Sequence, residues 1–340
     1  AEIGIGMIVM VSIPVYERLP YIFWRWNYLL NPTESSVWIH DLFKYSLCFI
    51  VMAIPTVFSG MTIPLAIKAV CRTGKEIGKD SGILYGANTG GTLVGSILTG
   101  MVFISTIGLR HSLEFALVLN IAMGIMLLWL FDKRKITRQS LTLLGIGVVI
   151  LLVIAPKWDP ISFTRGSFRQ HDKPPVSWGH YLGYVSYNPK VYYKEHSAGT
   201  TVVLAEKHKD GSVGQKALFV DGKAEGSELY DNPTQVLVSQ LPLLFKPDSR
   251  NVLMVGLGTG VSAGSVLTHP NVKLDCAEIS PVVAEAAHYF AGSNHKVMDN
   301  PRMNLIIEDA RTVLAMTQKK YDVIINEPTN PWIAGMGNLF

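Results

Sequence analysis

Before Pro156 the chain is built from apolar runs too long and too sparsely charged for one soluble core. Leu42 to Ile67, Ile83 to Ile107 and Leu113 to Phe131 each reach the ~20 residues that a helix needs to span a hydrocarbon layer. Leu141 to Ala155 is a shorter fourth run, and Ile3 to Val15 reads as the tail of another span. Several such runs together exceed what a globular domain buries, so residues 1–155 read as a multi-span α-helical membrane region of about five spans, the first partial. Gly86 and Gly90, and Gly91 and Gly95, have the spacing that lets helices approach backbone to backbone. Lys44 and Glu114 lie near span ends rather than mid-membrane, which favours an anchoring or regulatory role over ion-coupled transport.

The net charge of +4 sits wholly in this part: of 30 Lys/Arg and 26 Asp/Glu, 12 and 8 precede Pro156. The remainder is balanced and has no basic stripe, which argues against nucleic acid as a partner. Cys48, Cys71 and Cys276 have neither metal nor redox spacing, so no metal site and no disulfide framework are expected. Two basic stretches, Lys68 to Asp80 and Asp132 to Arg138, are separated by two spans and so share one face, cytoplasmic by the positive-inside rule. A full crossing by Leu141 to Ala155 then puts the C-terminal half on the other face, whereas nucleoside donors are expected in the cytoplasm. The sequence leaves that conflict open.

From Pro156 the texture turns aromatic and rich in Gly and Pro. Thr200 to Glu206 and Lys216 to Asp221 are β-branched or apolar runs either side of Asp210-Gly211, which predicts a small antiparallel sheet over 185–222. Asn232-Pro233-Thr234 opens a helix to about Leu244. The domain reading is 1–155 for the helices, 156–245 for a linker and small β domain, and 246–340 for an α/β Rossmann-like domain. The chain opens without methionine and closes soon after a fourth strand, so it reads as part of a longer protein, truncated at its C-terminus.

The last domain carries the chemistry. The strand Asn251 to Val255 runs into Gly256-Leu257-Gly258-Thr259-Gly260, where glycines permit a sharp turn and a close ligand approach. A second strand, Leu274 to Glu278, ends on a carboxylate 22 positions after Gly256, the spacing at which an acid meets ribose hydroxyls. Asn304 to Ile307 ends at Glu308-Asp309, and Tyr321 to Ile325 ends at Asn326-Glu327-Pro328. All four strand ends face the carboxyl edge, where open α/β sheets bind ligands. Plainer readings stand beside these: Glu278 as a cap for the helix at Ser280-Pro281, Asp309 as a cap for Ala310 to Thr317, Asp221 as a turn residue before Gly222, and Trp332 as a loop closure.

Taken together, these residues resemble the spermidine synthase (polyamine aminopropyltransferase) family, in its membrane-fused bacterial branch. The resemblance covers roughly Trp158 to Phe340, through Trp158-Asp159-Pro160, Asp221-Gly222-Lys223, Asn232-Pro233-Thr234-Gln235, the glycine loop, Ala277-Glu278-Ile279, Glu308-Asp309-Ala310 and Asn326-Glu327-Pro328-Thr329-Asn330-Pro331-Trp332. It implies attack of a polyamine nitrogen on the sulfonium carbon of decarboxylated S-adenosylmethionine, or of a relative using S-adenosylmethionine, with no metal. Glu278 is implied at the ribose, Asp309 with Ala310 at the adenine, and Gly256, Gly258, Thr259 and Gly260 along the donor. Glu327 is implied as the catalytic base, with Asp221, Glu225, Asn330 and Trp332 around the polyamine. The chain departs from the soluble enzymes at Thr259, where they carry Asp, at Glu225, where they carry Gln, and at Glu327 and Asn330, where they carry Asp. The resemblance also implies a multi-pass protein of the bacterial inner membrane, with a homo-oligomer or a larger membrane complex left open. An S-adenosylmethionine-dependent methyltransferase and a non-catalytic nucleoside or polyamine sensor are the competing expectations.

Overall fold

The computed structural model describes residues 2–30, 33, 35–70, 77–131, 134–154, 160–163, 173–196, 199–208, 210 and 212–326. By contact they fall into two compact units, Ala1–Tyr184 and Val185–Phe340.

The first unit is helical. Its helices are α1 (Glu2–Leu29), α2 (Val37–Gly60), α3 (Thr62–Val70), α4 (Ile77–Ile97), α5 (Ile104–Phe131) and α6 (Lys135–Ile154), with a π turn at Leu98–Phe103. Among the described residues, four helical stretches are long and apolar enough to cross a membrane: Glu2–Leu29, Val37–Ala69, Ile77–Phe131 and Lys135–Ile154. The third is two helices rather than one, because Gly108 has φ 81° and ψ 166° and breaks the helix there. That break falls between the two runs expected from sequence. Two expectations change. The helix begun by Ile3 to Val15 runs on past Pro14 and Pro20 to Leu29, and the short fourth run becomes a helix of 20 residues.

Side-chain contacts show an up-and-down arrangement. The end of α1 meets the start of α2, where Trp26 stacks on Phe43 at 3.9 Å. The start of α1 meets the second half of α5, where a methyl group at Gly6 would stand 2.6 Å from Ile121. The end of α5 meets α6 through the Trp129 indole N–H, which donates to Thr142 Oγ1 at 3.1 Å. Leu117, Ile121 and Val148 form the buried centre. The outward surface is apolar instead: Phe49, Met101, Phe131 and Val153 are each at least 70% exposed.

The segment beyond Pro156 belongs partly to this unit. A short helix, α7 (Trp178–Val185), brings Trp178 and Tyr181 against Tyr21, and Tyr184 against Trp24, with ring centroids 5.4–5.9 Å apart. The Tyr21 hydroxyl donates to the Pro175 carbonyl at 3.1 Å. Arg18 and Arg25 lie over the rings of Trp178 and Tyr21, which lets two cations sit on an otherwise apolar helix.

The second unit holds two sheets. β1 (Lys190–His196), β2 (Gly199–Lys207), β3 (Val213–Val220) and β4 (Lys223–Ser227) form an antiparallel meander. The fourth strand extends the sheet beyond the expected 222. Its sequence, Lys-Ala-Glu-Gly-Ser, lacks apolar alternation, and it forms because Asp221 (φ 47°) and Gly222 (φ 78°) make a tight hairpin turn. After α8 (Asn232–Phe245) comes a parallel sheet in the order β7-β6-β5-β8: β5 (Asn251–Val255), β6 (Lys273–Glu278), β7 (Met303–Ile307) and β8 (Val323–Asn326). The helices α9 (Val261–Val266), α10 (Pro281–Ala287) and α11 (Ala310–Met316) connect its strands. Val252, Met254, Leu274 and Cys276 fill its core with Leu243 of α8 and Ala284 and Ala287 of α10. Val203 and Leu218 of the meander pack on Val283 and Ala286 of α10. All four parallel strands end on one edge, as the sequence pattern required.

Candidate active site

The turn after β5 has two faces. Gly256 (φ 87°) and Gly258 (φ 54°) border open space, since a methyl group at either would meet nothing within 4 Å. Gly260 (φ 79°) is packed from behind, where a methyl group would stand 3.0 Å from both Asn294 and Val297. These conformations disfavour side chains, and the open face leaves the backbone accessible.

Glu278 closes β6 beneath this turn and is only 7% exposed. Its Oε2 accepts the Leu257 N–H and its Oε1 accepts the Ser280 N–H, each at 2.9 Å. One oxygen ties the helix start, as the capping reading expects, and the other ties the glycine loop. Each oxygen keeps lone-pair capacity for a further donor. Burial pushes the Glu278 pKa above the usual carboxylate range, and the nearby Glu225 charge adds to this, against the opposing pull of the Leu257 and Ser280 N–H groups.

Thr259 is almost fully buried. Its hydroxyl hydrogen-bonds the Gln235 side-chain oxygen, and Gln235 Nε2 donates to the Ser227 carbonyl at 3.0 Å. Gly226 of β4 packs over this pair, where an added methyl group would stand 3.1 Å from the Thr259 methyl. Thr259 thus contributes loop shape and a neutral environment. At the neighbouring strand end, the Glu308 N–H donates to the Glu278 carbonyl at 3.1 Å. Asp309 caps α11, accepting the Arg311 N–H at 2.8 Å, with the Arg311 guanidinium 3.3 Å from its other oxygen. Those contacts hold the Asp309 pKa below the usual range, the backbone N–H first. Ala310 is the first residue of that helix.

On the meander, Glu225 pairs with the buried Lys223 at 2.8 Å. Asp221 stands at the hairpin turn, where Oδ1 accepts the Thr200 N–H at 2.7 Å. Glu327, Asn330 and Trp332 lie outside the described residues, as do Trp158 and Asp159. Asn326 pairs with Val255, so β8 ends beside the start of the glycine loop. Two contributors went unread in sequence. Gln235 lay inside a quoted motif without a role, and Asn294 carries no motif or periodic signal at all.

Residues 232–340 match the family model of the spermine/spermidine synthase domain. A polyamine aminopropyltransferase of Methanocaldococcus jannaschii is 32% identical over 142 residues, covering 42% of this chain and 47% of the relative. Over these residues the chain is similar to the spermine/spermidine synthase domain. A polyamine aminopropyltransferase of Oceanobacillus iheyensis is 22% identical over 305 residues, covering 88% of this chain, helices included, and 54% of the relative. A malonyl-[acyl-carrier protein] O-methyltransferase of Ilyobacter polytropus is 33% identical over 123 residues, covering 34% of this chain and 43% of the relative. The chain thus spans about half the length of these curated relatives.

Proposed function

We propose that this chain is a membrane-anchored, spermidine synthase-like aminopropyltransferase that moves an aminopropyl group from decarboxylated S-adenosylmethionine to a polyamine. The observation that carries this reading is the buried Glu278 carboxylate, tied to the open side of a three-glycine turn within a spermine/spermidine synthase domain. Its remaining lone pairs suit the two ribose hydroxyls of an adenosyl group, while Gly256 and Gly258 leave room for the sulfonium chain. The transfer forms one C–N bond and breaks one C–S bond in line, releasing 5′-methylthioadenosine. The residues must align the nitrogen, keep it unprotonated and stabilise positive charge. Glu327 follows β8 directly in sequence and is assigned the proton, and Glu225 is assigned to a substrate ammonium. Four apolar helical stretches with outward-facing side chains support a multi-pass protein of a cytoplasmic membrane. Retention of the full chain in membranes through alkaline carbonate washing is the expected result there, and its release without detergent would refute the anchoring.

The second reading is an S-adenosylmethionine-dependent methyltransferase. The relative from Ilyobacter polytropus favours it, as does the neutral, buried Thr259 beside the donor turn. One experiment separates the two. Detergent-purified protein is incubated with either donor and a panel of polyamines, and product masses are measured. An aminopropyl increment from the decarboxylated donor supports the proposal; a methyl increment from S-adenosylmethionine replaces it.

A further inference from the structure

We propose that Asn294 is a positioning residue, whose buried amide fixes the glycine turn in its ligand-accepting conformation. Asn294 is 1% exposed and stands behind the turn, away from any position the sequence marks. Its Nδ2 donates twice, to the Thr259 carbonyl at 2.9 Å and to the Ala287 carbonyl at 2.8 Å. The first bond grips the turn between Gly258 and Gly260; the second anchors the same amide at the end of α10. Its Oδ1 is buried without a hydrogen-bond partner among the described residues. A buried acceptor left unsatisfied costs free energy, so this site keeps an amide at a penalty that an apolar residue would avoid.

The backbone around it is equally specific. His295 and Lys296 take φ of 55° and 52°, left-handed values that non-glycine residues rarely adopt. Those two residues come directly after Asn294, and the Asn294 carbonyl lies so close to α9 that a methyl group at Gly264 would stand 2.1 Å from it. The residue is therefore wedged between α9 and α10, with one amide donor on a carbonyl of the turn and the other on the end of α10. Glu278 holds the Leu257 N–H and Asn294 holds the Thr259 carbonyl two residues further along the turn. Released at one end, the three glycines have the widest conformational choice of any residues, and the backbone groups facing the ligand lose their order.

The ligand arm of the test rests on the proposed nucleoside site; the exchange arm does not. Asn294→Ala and a control, Leu218→Ala, are compared with wild type in the full chain in detergent. Leu218 is fully buried in a separate cluster, between the meander and α10. Hydrogen exchange by mass spectrometry should quicken at least about tenfold over 254–262 in Asn294→Ala and stay near wild type there in Leu218→Ala. Binding of 5′-methylthioadenosine should weaken about tenfold or more in Asn294→Ala alone. Unchanged exchange over 254–262, or equal acceleration in the control, overturns the assignment. If wild type binds no 5′-methylthioadenosine, the proposed function fails while the exchange result still decides Asn294.

Discussion

Glu278 contributes to folding and, under the proposed function, to nucleoside binding, with pH dependences that oppose each other. Its pKa is raised in the folded chain, mainly by burial, so its contribution to stability is fully present below the unfolded value of ~4.3 and is lost as pH rises through the folded value. Nucleoside binding needs the ionised form, so 5′-methylthioadenosine affinity should fall as pH drops through that raised value, starting above the range of an ordinary carboxylate. Calorimetry between roughly pH 4 and 8 should show this limb in wild type and its loss in Glu278→Ala. At neutral pH Glu278→Ala should bind at least about tenfold more weakly, since a hydrogen bond to a charged group contributes ~1.5–3 kcal/mol. Unaltered affinity would remove Glu278 from the site. Glu327→Gln keeps size but cannot take a proton, and turnover should drop ~10²–10⁴ with donor binding nearly intact; full turnover would pass the base role to Asp221 or Glu225. The place of Glu278 under the glycine turn was legible because its strand follows that turn at a fixed spacing. Asn294 was not, because its role depends on a carbonyl 35 residues away that only folding brings to it.

Among elements, the legible ones were those whose own sequence dictates their period. β5 is an apolar run, β6 buries all but its first residue, and α8 opens with Pro at its first turn, so each stands close to where the pattern put it. β4 escaped because nothing in its residues favours a strand; pairing with β3 across a left-handed turn creates it. The same contrast separates two sets of glycines. In α9, Gly264 lies against the Asn294 carbonyl, and neither helix nor loop can yield without moving backbone. Gly264→Ala should destabilise the second unit by about 1–3 kcal/mol, read as a lowered thermal midpoint in detergent. In α4, Gly90 has nothing within 4 Å of an added methyl group, so Gly90→Ala should leave that midpoint unchanged or raise it, given alanine's advantage of ~1 kcal/mol in a helix. A Gly264→Ala protein as stable as wild type would contradict the packing around α9.

At the scale of the whole chain, hydropathy separated helices from α/β sequence, but it left the direction of the last pass undecided. Helix lengths and contacts bear on that direction. α6 is 20 residues long, and at ~1.5 Å per residue it matches a ~30 Å hydrocarbon core. With the break at Gly108, the described residues of the first unit form five alternating helical stretches, so the end of α6 lies at the same end of the bundle as the end of α1. The aromatic contacts agree independently, since α7 docks on Tyr21 and Trp24 in the last third of α1. The basic stretches at 68–80 and 132–138 flank the opposite ends of these helices. We therefore expect α7 and the two basic stretches to occupy opposite faces of the membrane. Single cysteines at Gly183 in α7 and at Gly78 at the start of α4 test this, in a chain whose three native cysteines have been replaced. A membrane-impermeant maleimide should label one of them in sealed, right-side-out vesicles and the other only after permeabilisation. Labelling of both from the same side would mean that α6 does not cross, and the alternation read from the helix contacts would have to be abandoned.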